Sequence, residues 1–388
     1  MTSRLAKRTR LERGWLALTE LIDERAPLDG IVGASALLIV DGEIGARHHY
    51  GLADRSTRRP VDERTIFHYA SITKILTAIG IMQLRQRGQL SLEDRILDYV
   101  PELRQIHDPY DALDRITLRM LLSHSAGFQD PTWPYTTGHP WQPFEPRSWA
   151  QLVAMMPYQE LHFEPGTRYG YSNPAFIYLG RVIEESTGDP WGIYVQKNIF
   201  APLEMTRSYF GTTPYHLADH RSYSYTVRCG ADPEIIDLGP DFDTGVTTPN
   251  GGWNGPLDDL ARLIGFLLDT AEGAPGRRRL PDTILPRAAI HEMWQPLYPT
   301  GSMTTVGPEA MGLSFYIIGD PEGAPDHGPL IGHAGFQAGF LAAFYLNPVR
   351  RTALAVAFNT NDASGPEFRP ASYQAVIDRG LELLSTSD

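Results

Sequence analysis

The stretch Phe67-His68-Tyr69-Ala70-Ser71-Ile72-Thr73-Lys74, followed at once by Ile75-Leu76-Thr77-Ala78-Ile79-Gly80-Ile81-Met82, decides how the rest of the chain is read. Its apolar residues recur at helical spacing and Ser71 is a good helix-starting residue, so the pattern predicts a helix from Ser71 to Gly88. Ser71 and Lys74 then sit one turn apart on one face, where side chains three apart are neighbours at about 5–6 Å between Cβ atoms. A serine hydroxyl is a poor nucleophile until a nearby base takes its proton. An amine drawn down from a pKa of about 10.4 toward about 7–8 by burial and neighbouring cations can be that base. A guanidinium cannot, because it does not deprotonate in proteins. Only three of the 34 Lys and Arg residues are lysine (Lys7, Lys74 and Lys197), so lysine at 74 departs from the local habit. A helix start also offers free N–H groups and a positive dipole end, which favour an oxyanion. The same residues also describe a capping serine beside a lysine that snorkels to solvent, and partners elsewhere in the chain must decide between the two.

At 388 residues the chain can bury a large core and is expected to form two lobes. Hydrophobic residues at 42% and charged residues at 21% are ordinary for a soluble globular protein. A net charge of −12 argues against nucleic acid or an anionic membrane as main partner, since both reward basic surfaces. The one basic run, Arg277-Arg278-Arg279, reads as a solvated loop. The single cysteine, Cys229, rules out an internal disulfide and reads as a small buried apolar residue. The N-terminal stretch is interrupted by Glu12, Glu20 and Asp23, so it reads as an amphipathic helix with no signal-peptide core. No run approaches 18 apolar residues, so no membrane span is expected, and the cytoplasm is the expected location.

Taken in order, the first helix is expected to end near Ala26-Pro27. Ile31 to Val40 reads as a strand, Asp41-Gly42 as a hairpin turn and Glu43 to Gly51 as its partner. His48 and His49 point to opposite faces of that strand, which argues against a shared metal. Ser91 to Asp94 reads as a helix start, Pro101 as a stop, and Thr117 to Ser123 as a short helix. Residues 128–147, with Trp133, Tyr135, Trp141 and Phe144, are too long for a routine connector, and such a loop often lines a pocket. Ala175 to Thr187 is helical and closed by Gly188, and an amphipathic helix with an acidic start covers Asp258 to Leu268. Leu313 to Ile318, Gly335 to Leu346 and Thr352 to Phe358 read as strands before a last helix at 372–384. Strands at both ends and helices between them define an α/β fold. Residues 1–85 and 255–388 are expected to form a mainly antiparallel sheet flanked by the N- and C-terminal helices. Residues 86–254 are expected to form a mostly helical insertion domain, with the active cleft between the lobes.

Three short motifs follow one another: Ser71-Ile72-Thr73-Lys74, Tyr171-Ser172-Asn173 and His333-Ala334-Gly335. In this order they resemble the serine β-lactamase and penicillin-binding-protein superfamily, in particular its class C-like branch of family VIII esterases, D-aminopeptidases and D,D-peptidases. The phrases Leu121 to Gly127, Phe163 to Asn173 and Ile199 to Met205 are also similar to that family, and the likeness runs from about residue 15 to 384. A second Tyr-x-Asn, Tyr345-Leu346-Asn347, ends a strand before Pro348 and is read as sheet plus turn. The resemblance implies a β-lactamase/transpeptidase-like fold in which Ser71 attacks a carbonyl and Lys74 shares the proton with Tyr171. It further implies that Asn173 binds Lys74 or a substrate amide, and that the N–H groups of Ser71 and Phe336, beside Gly335, hold the oxyanion. His333 departs from the lysine common in true β-lactamases. A mostly neutral imidazole suits carboxylate-bearing substrates poorly, so weak β-lactamase action at most is expected.

The expected activity is that of a serine hydrolase acting through an acyl-enzyme on a small ester, amide or peptide, with ester cleavage slightly favoured. Neither H-E-x-x-H nor G-x-S-x-G occurs, and no metal or cofactor is expected. An acyltransferase or peptide-cyclising thioesterase would use the same intermediate with a different acceptor, and a catalytically silent ligand-binding relative is the third reading. The sequence does not specify oligomeric state.

Overall fold

The computed structural model describes residues 2–128, 146–228, 234–268, 284–319, 328–364 and 369–385, without the side chains of residues 2–9. Cys229, Arg277-Arg278-Arg279 and the aromatic residues Trp133, Tyr135, Trp141 and Phe144 lie outside the described residues.

Nine strands form one sheet in the order Arg59–Pro60, Glu43–Asp54, Gly33–Val40, Thr352–Phe358, Phe340–Asn347, Leu330–Gln337, Tyr316–Ile318, Gly307–Met311 and Tyr298–Thr304. Every neighbouring pair in it is antiparallel. Ala34 lies opposite Phe358 and Val40 opposite Thr352, so segments from the two ends of the chain meet within one sheet, as expected. Leu37, Ile39, Phe344 and Ala355 face the helical body. Ala36, Leu341, Leu354 and Val356 face the first and last helices, Thr2–Arg25 and Ala371–Ser385, whose Leu18, Ile22, Val376 and Leu381 are buried against them. Both faces are covered, which is why these strands read as unbroken apolar runs instead of alternating ones. Each such Leu, Ile or Val contributes about 1.5–3 kcal/mol by leaving water.

The segment carrying Ser71 differs from expectation. Strand Ile66–His68 runs into a single 3-10 turn, Ala70–Ile72, and only then into helix Thr73–Gln86. Ser71 therefore does not cap the helix, and its hydroxyl is left for other contacts. The helix expected from Ala175 begins two residues earlier, as Asn173–Thr187: the Ser172 hydroxyl accepts from the Ala175 N–H, Pro174 fills the first turn, and Gly188 closes it as expected at φ +73°.

The stretch expected as one strand from Gly335 to Leu346 is a hairpin. Leu330–Gln337 and Phe340–Asn347 are joined through Ala338 at φ +48° and Gly339 at φ +85°, a two-residue turn with both centres left-handed. Ser91 to Asp94 is a turn, and Pro101 begins a 3-10 segment, Pro101–Gln105, instead of ending a helix. His48 and His49 have separate partners, Asp23 (2.9 Å) and Ser35 (2.9 Å). No helix among the described residues is long and apolar enough to cross a membrane.

Candidate active site

Lys74 is the hub of the site. Its side chain is fully buried, and Nζ donates to Ser71 Oγ (3.0 Å), Asn173 Oδ1 (2.7 Å) and the carbonyl of Asn250 (3.0 Å). One turn of helix brings Ser71 to the amine, the start of the helix Asn173–Thr187 brings Asn173, and the short helix Thr248–Gly251 before strand Trp253–Pro256 brings Asn250. Asn250 also donates its Nδ2 to Asn173 Oδ1 (2.8 Å), so the amide that meets the amine is itself held. Nothing in the residue types pointed to Asn250, because its contribution to Lys74 is a backbone carbonyl.

The backbone around Ser71 is shaped by two close constraints. Ala70 has φ +46°, a left-handed conformation costly for a residue with a Cβ, and such strain is held in place by its surroundings. The strand carrying Gly335 lies flush against this turn: a Cβ on Gly335 would stand 2.1 Å from the Tyr69 carbonyl oxygen and 2.9 Å from Ser71 N. Thr73 ties the turn from below, donating to Ala70 O (2.6 Å) and accepting from Trp253 N–H (3.0 Å).

Tyr171 stands beside the amine, its ring centroid 4.9 Å from Lys74 Nζ. His124, a residue the motif reading passed over, is stacked on that ring with centroids 4.4 Å apart and planes 24° apart. It is fully buried at φ +54°, and its Nδ1 accepts from the Ser172 N–H (3.0 Å). That contact places the ring proton on Nε2, and burial, the Lys74 charge and His333 hold the imidazole well below its usual range, hence neutral. The available signal was the phrase Ser123-His124-Ser125, which stood out only as a resemblance.

His333 is fully buried on the strand Leu330–Gln337, and Nδ1 donates to the Ala334 carbonyl (2.6 Å), leaving Nε2 unprotonated. Burial first and Lys74 second push it down to about 3, so it is neutral across the physiological range. The Tyr316 ring lies 5.0 Å away. His333 thus stands behind the cleft wall with Lys74, while its neighbours Ala334, Gly335 and Phe336 line the cleft itself. Phe336 is 38% exposed there. The cleft has a volume of about 800 Å³, and Ser71, Tyr171 and Asn173 open onto it. Of the seven residues singled out by sequence, Ser71, Tyr171, Asn173, Gly335 and Phe336 line this cleft, Lys74 lies buried beneath Ser71 and Asn173, and His333 is set back.

The fold is that of the β-lactamase and penicillin-binding-protein superfamily. The chain belongs to the Beta-lactamase family, whose sequence profile matches residues 18–378. It is similar to Penicillin-binding protein 4* of Bacillus subtilis (strain 168), with 29% identity over 224 residues covering 56% of this chain and 46% of that protein. The chain therefore spans about half the length of that relative. Esterase EstB of Burkholderia gladioli is 29% identical over 344 residues, covering 79% of this chain and 82% of the esterase. Among solved structures, the octameric penicillin-binding protein homologue from Pyrococcus abyssi matches with a TM-score of 0.76 at 25% identity, covering 95% of this chain and 76% of that one.

Proposed function

We propose that this protein is a serine hydrolase that cleaves a small ester or amide through an acyl-enzyme on Ser71. The contact that carries the reading is Lys74 Nζ at 3.0 Å from Ser71 Oγ, with Asn173 and the Asn250 carbonyl taking two N–H groups. When the amine is uncharged, those two acceptors leave its lone pair for the Ser71 proton.

In the first half-reaction, Ser71 Oγ bonds to the substrate carbonyl carbon as its proton passes to Lys74, with Tyr171 beside the amine as the second proton carrier. The carbonyl oxygen takes the electron pair and is held by the N–H groups of Ser71 and Phe336. Collapse re-forms the carbonyl, and the leaving alcohol or amine departs with the proton. Water then repeats the sequence on the ester and returns the hydroxyl to Ser71. The two lobes, residues 1–85 with 255–388 and residues 86–254, are taken to meet at this cleft.

Esters are favoured over β-lactams as substrates because position 333 holds a neutral imidazole set behind the wall in place of a lysine beside Gly335. Likeness to EstB over most of that esterase's length supports the same choice. The test is intact-mass measurement after exposure to a fluorophosphonate, together with turnover of p-nitrophenyl acetate and nitrocefin. A single adduct on Ser71, absent from Ser71→Ala, with acetate turned over faster than nitrocefin, is expected. An unmodified, inactive wild type would overturn the reading.

A further inference from the structure

The cleft does not end at Ser71. Beyond Ala334 and Phe336 it continues across the sheet edge to Glu309, Tyr345 and Tyr373, on the side covered by the last helix. This passage exists because Tyr316–Ile318 pairs with the neighbouring strand only at Leu330 to Gly332, leaving His333 to Gln337 unpaired on that edge. Tyr316 sits at the junction and lines the same cleft as Tyr171 and Glu309; burial first, and then these neighbours, push its phenol well up.

The far arm has polar groups that the fold does not use. Tyr345 and Tyr373 are only 7% and 3% exposed, yet neither hydroxyl has a hydrogen-bond partner among the described residues, and both residues line the cleft. Both hydroxyls open onto this chamber from otherwise buried rings, so each has a donor and acceptor capacity that the fold leaves to an occupant of the cleft. Glu309 is half-buried there and accepts from Thr300 Oγ1 (2.9 Å). Burial pushes its carboxyl up, and Arg369 only partly offsets this. Asp378, which accepts from Gln374 Nε2 (2.9 Å), adds a second carboxylate. Leu341, Ile377 and Leu381 supply apolar wall.

We propose that this far arm is a subsite for a protonated amine, carried by the substrate at a distance from the bond that is cleaved and held by Glu309 with the Tyr345 and Tyr373 hydroxyls. Two carboxylates against one guanidinium set the sign of the charge preferred. A cation would restore to Glu309 the stabilisation lost with water, and aromatic faces add to it. The chain's overall charge of −12 draws cations toward the mouth. A ligand carboxylate bound to Arg369 is the opposing chemistry, and the test separates them.

The inference rests on the hydrolase reading only for the near arm, so it is tested by binding, without turnover. In Ser71→Ala protein, calorimetry at pH 7.5 compares N-acetyl-1,5-diaminopentane, neutral N-pentylacetamide and 6-acetamidohexanoate. The amine is expected to bind about tenfold more tightly than its neutral counterpart, and the preference to shrink below about threefold when Glu309→Gln is added. Tyr373→Phe, which removes only a hydroxyl, is expected to halve the preference or more, and serves should Glu309→Gln fail to fold. Equal binding of amine and neutral ligand, a preference that survives Glu309→Gln, or tighter binding of the carboxylate would each overturn the subsite. Wild-type turnover of p-nitrophenyl acetate is measured alongside: its absence counts against the hydrolase reading, while the binding ratios still decide the subsite.

Discussion

The imidazole of His124 lies flat against the phenol of Tyr171, 4.4 Å between centroids, and takes the N–H of the very next residue, Ser172, on its Nδ1. A single ring thus fixes both the plane of the tyrosine and the backbone that leads to Asn173. His124→Phe keeps a flat ring but leaves the buried Ser172 N–H without an acceptor, at about 1–3 kcal/mol. Because displacement of a catalytic group by about 1 Å can cost up to about 100-fold, kcat for p-nitrophenyl acetate is expected to fall by about 10- to 100-fold. Urea titration and steady-state kinetics check the two effects, and a phenylalanine variant equal to wild type in both would show that the Nδ1 contact is idle.

Ser71→Ala is expected to lower kcat by about 10³-fold or more, and Lys74→Arg to be nearly as damaging although it keeps the charge. The guanidinium is too large for the three contacts at Nζ and cannot accept the serine proton. Substantial turnover by Lys74→Arg would contradict the amine's part in proton transfer.

Gly335→Ala is expected to be both less stable and less active, since its methyl would meet the Tyr69 carbonyl oxygen at 2.1 Å and must push the strand away from Ser71. Overpacking of this kind costs about 1–3 kcal/mol. Thermal unfolding and p-nitrophenyl acetate kinetics measure it; normal values for both would mean that the strand and the Ser71 turn separate freely.

Stability carries a pH signature from His333. Its folded pKa of about 3 lies below the ordinary value of 6.5, so on acidification the unfolded chain takes up a proton that the folded chain refuses. The contribution is fully present above about pH 6.5 and is lost as pH falls from there toward about 3, at up to about 1.4 kcal/mol per pH unit. His333→Gln removes the titrating group, so the difference in unfolding free energy between wild type and this variant is expected to shrink with falling pH from 7 to 5. A difference that stays constant over this range would show that His333 is not held neutral.

The parts of the site visible in the sequence are those carried by side chains at fixed local spacing. Ser71 and Lys74 meet because of one helical turn, and Gly188 marked the end of the helix Asn173–Thr187. The contacts that escaped are made across the chain or by the backbone: the Asn250 carbonyl on Lys74, and His124 on Tyr171. The hairpin after Gln337 was hidden because Ala338 occupies a left-handed position usually given to Asn, Asp or Gly. The strands Tyr298–Thr304 and Gly307–Met311 were hidden because Pro299, Gly301 and Pro308 break the strand pattern, which the margin of a sheet tolerates.

The N–H of Gly33 is bonded to the Asn359 side chain at 2.7 Å, across 326 residues of chain, at the middle of the large sheet. At a synthesis rate of roughly 5–20 residues per second, the strand at Gly33 leaves the ribosome about 15 to 65 seconds before its permanent neighbour exists. During that wait the apolar run Ala34 to Ile39 has an open hydrogen-bonding edge, a state prone to aggregation. Slow translation or early termination should therefore show first as insoluble protein, well before any defect in the chemistry at Ser71.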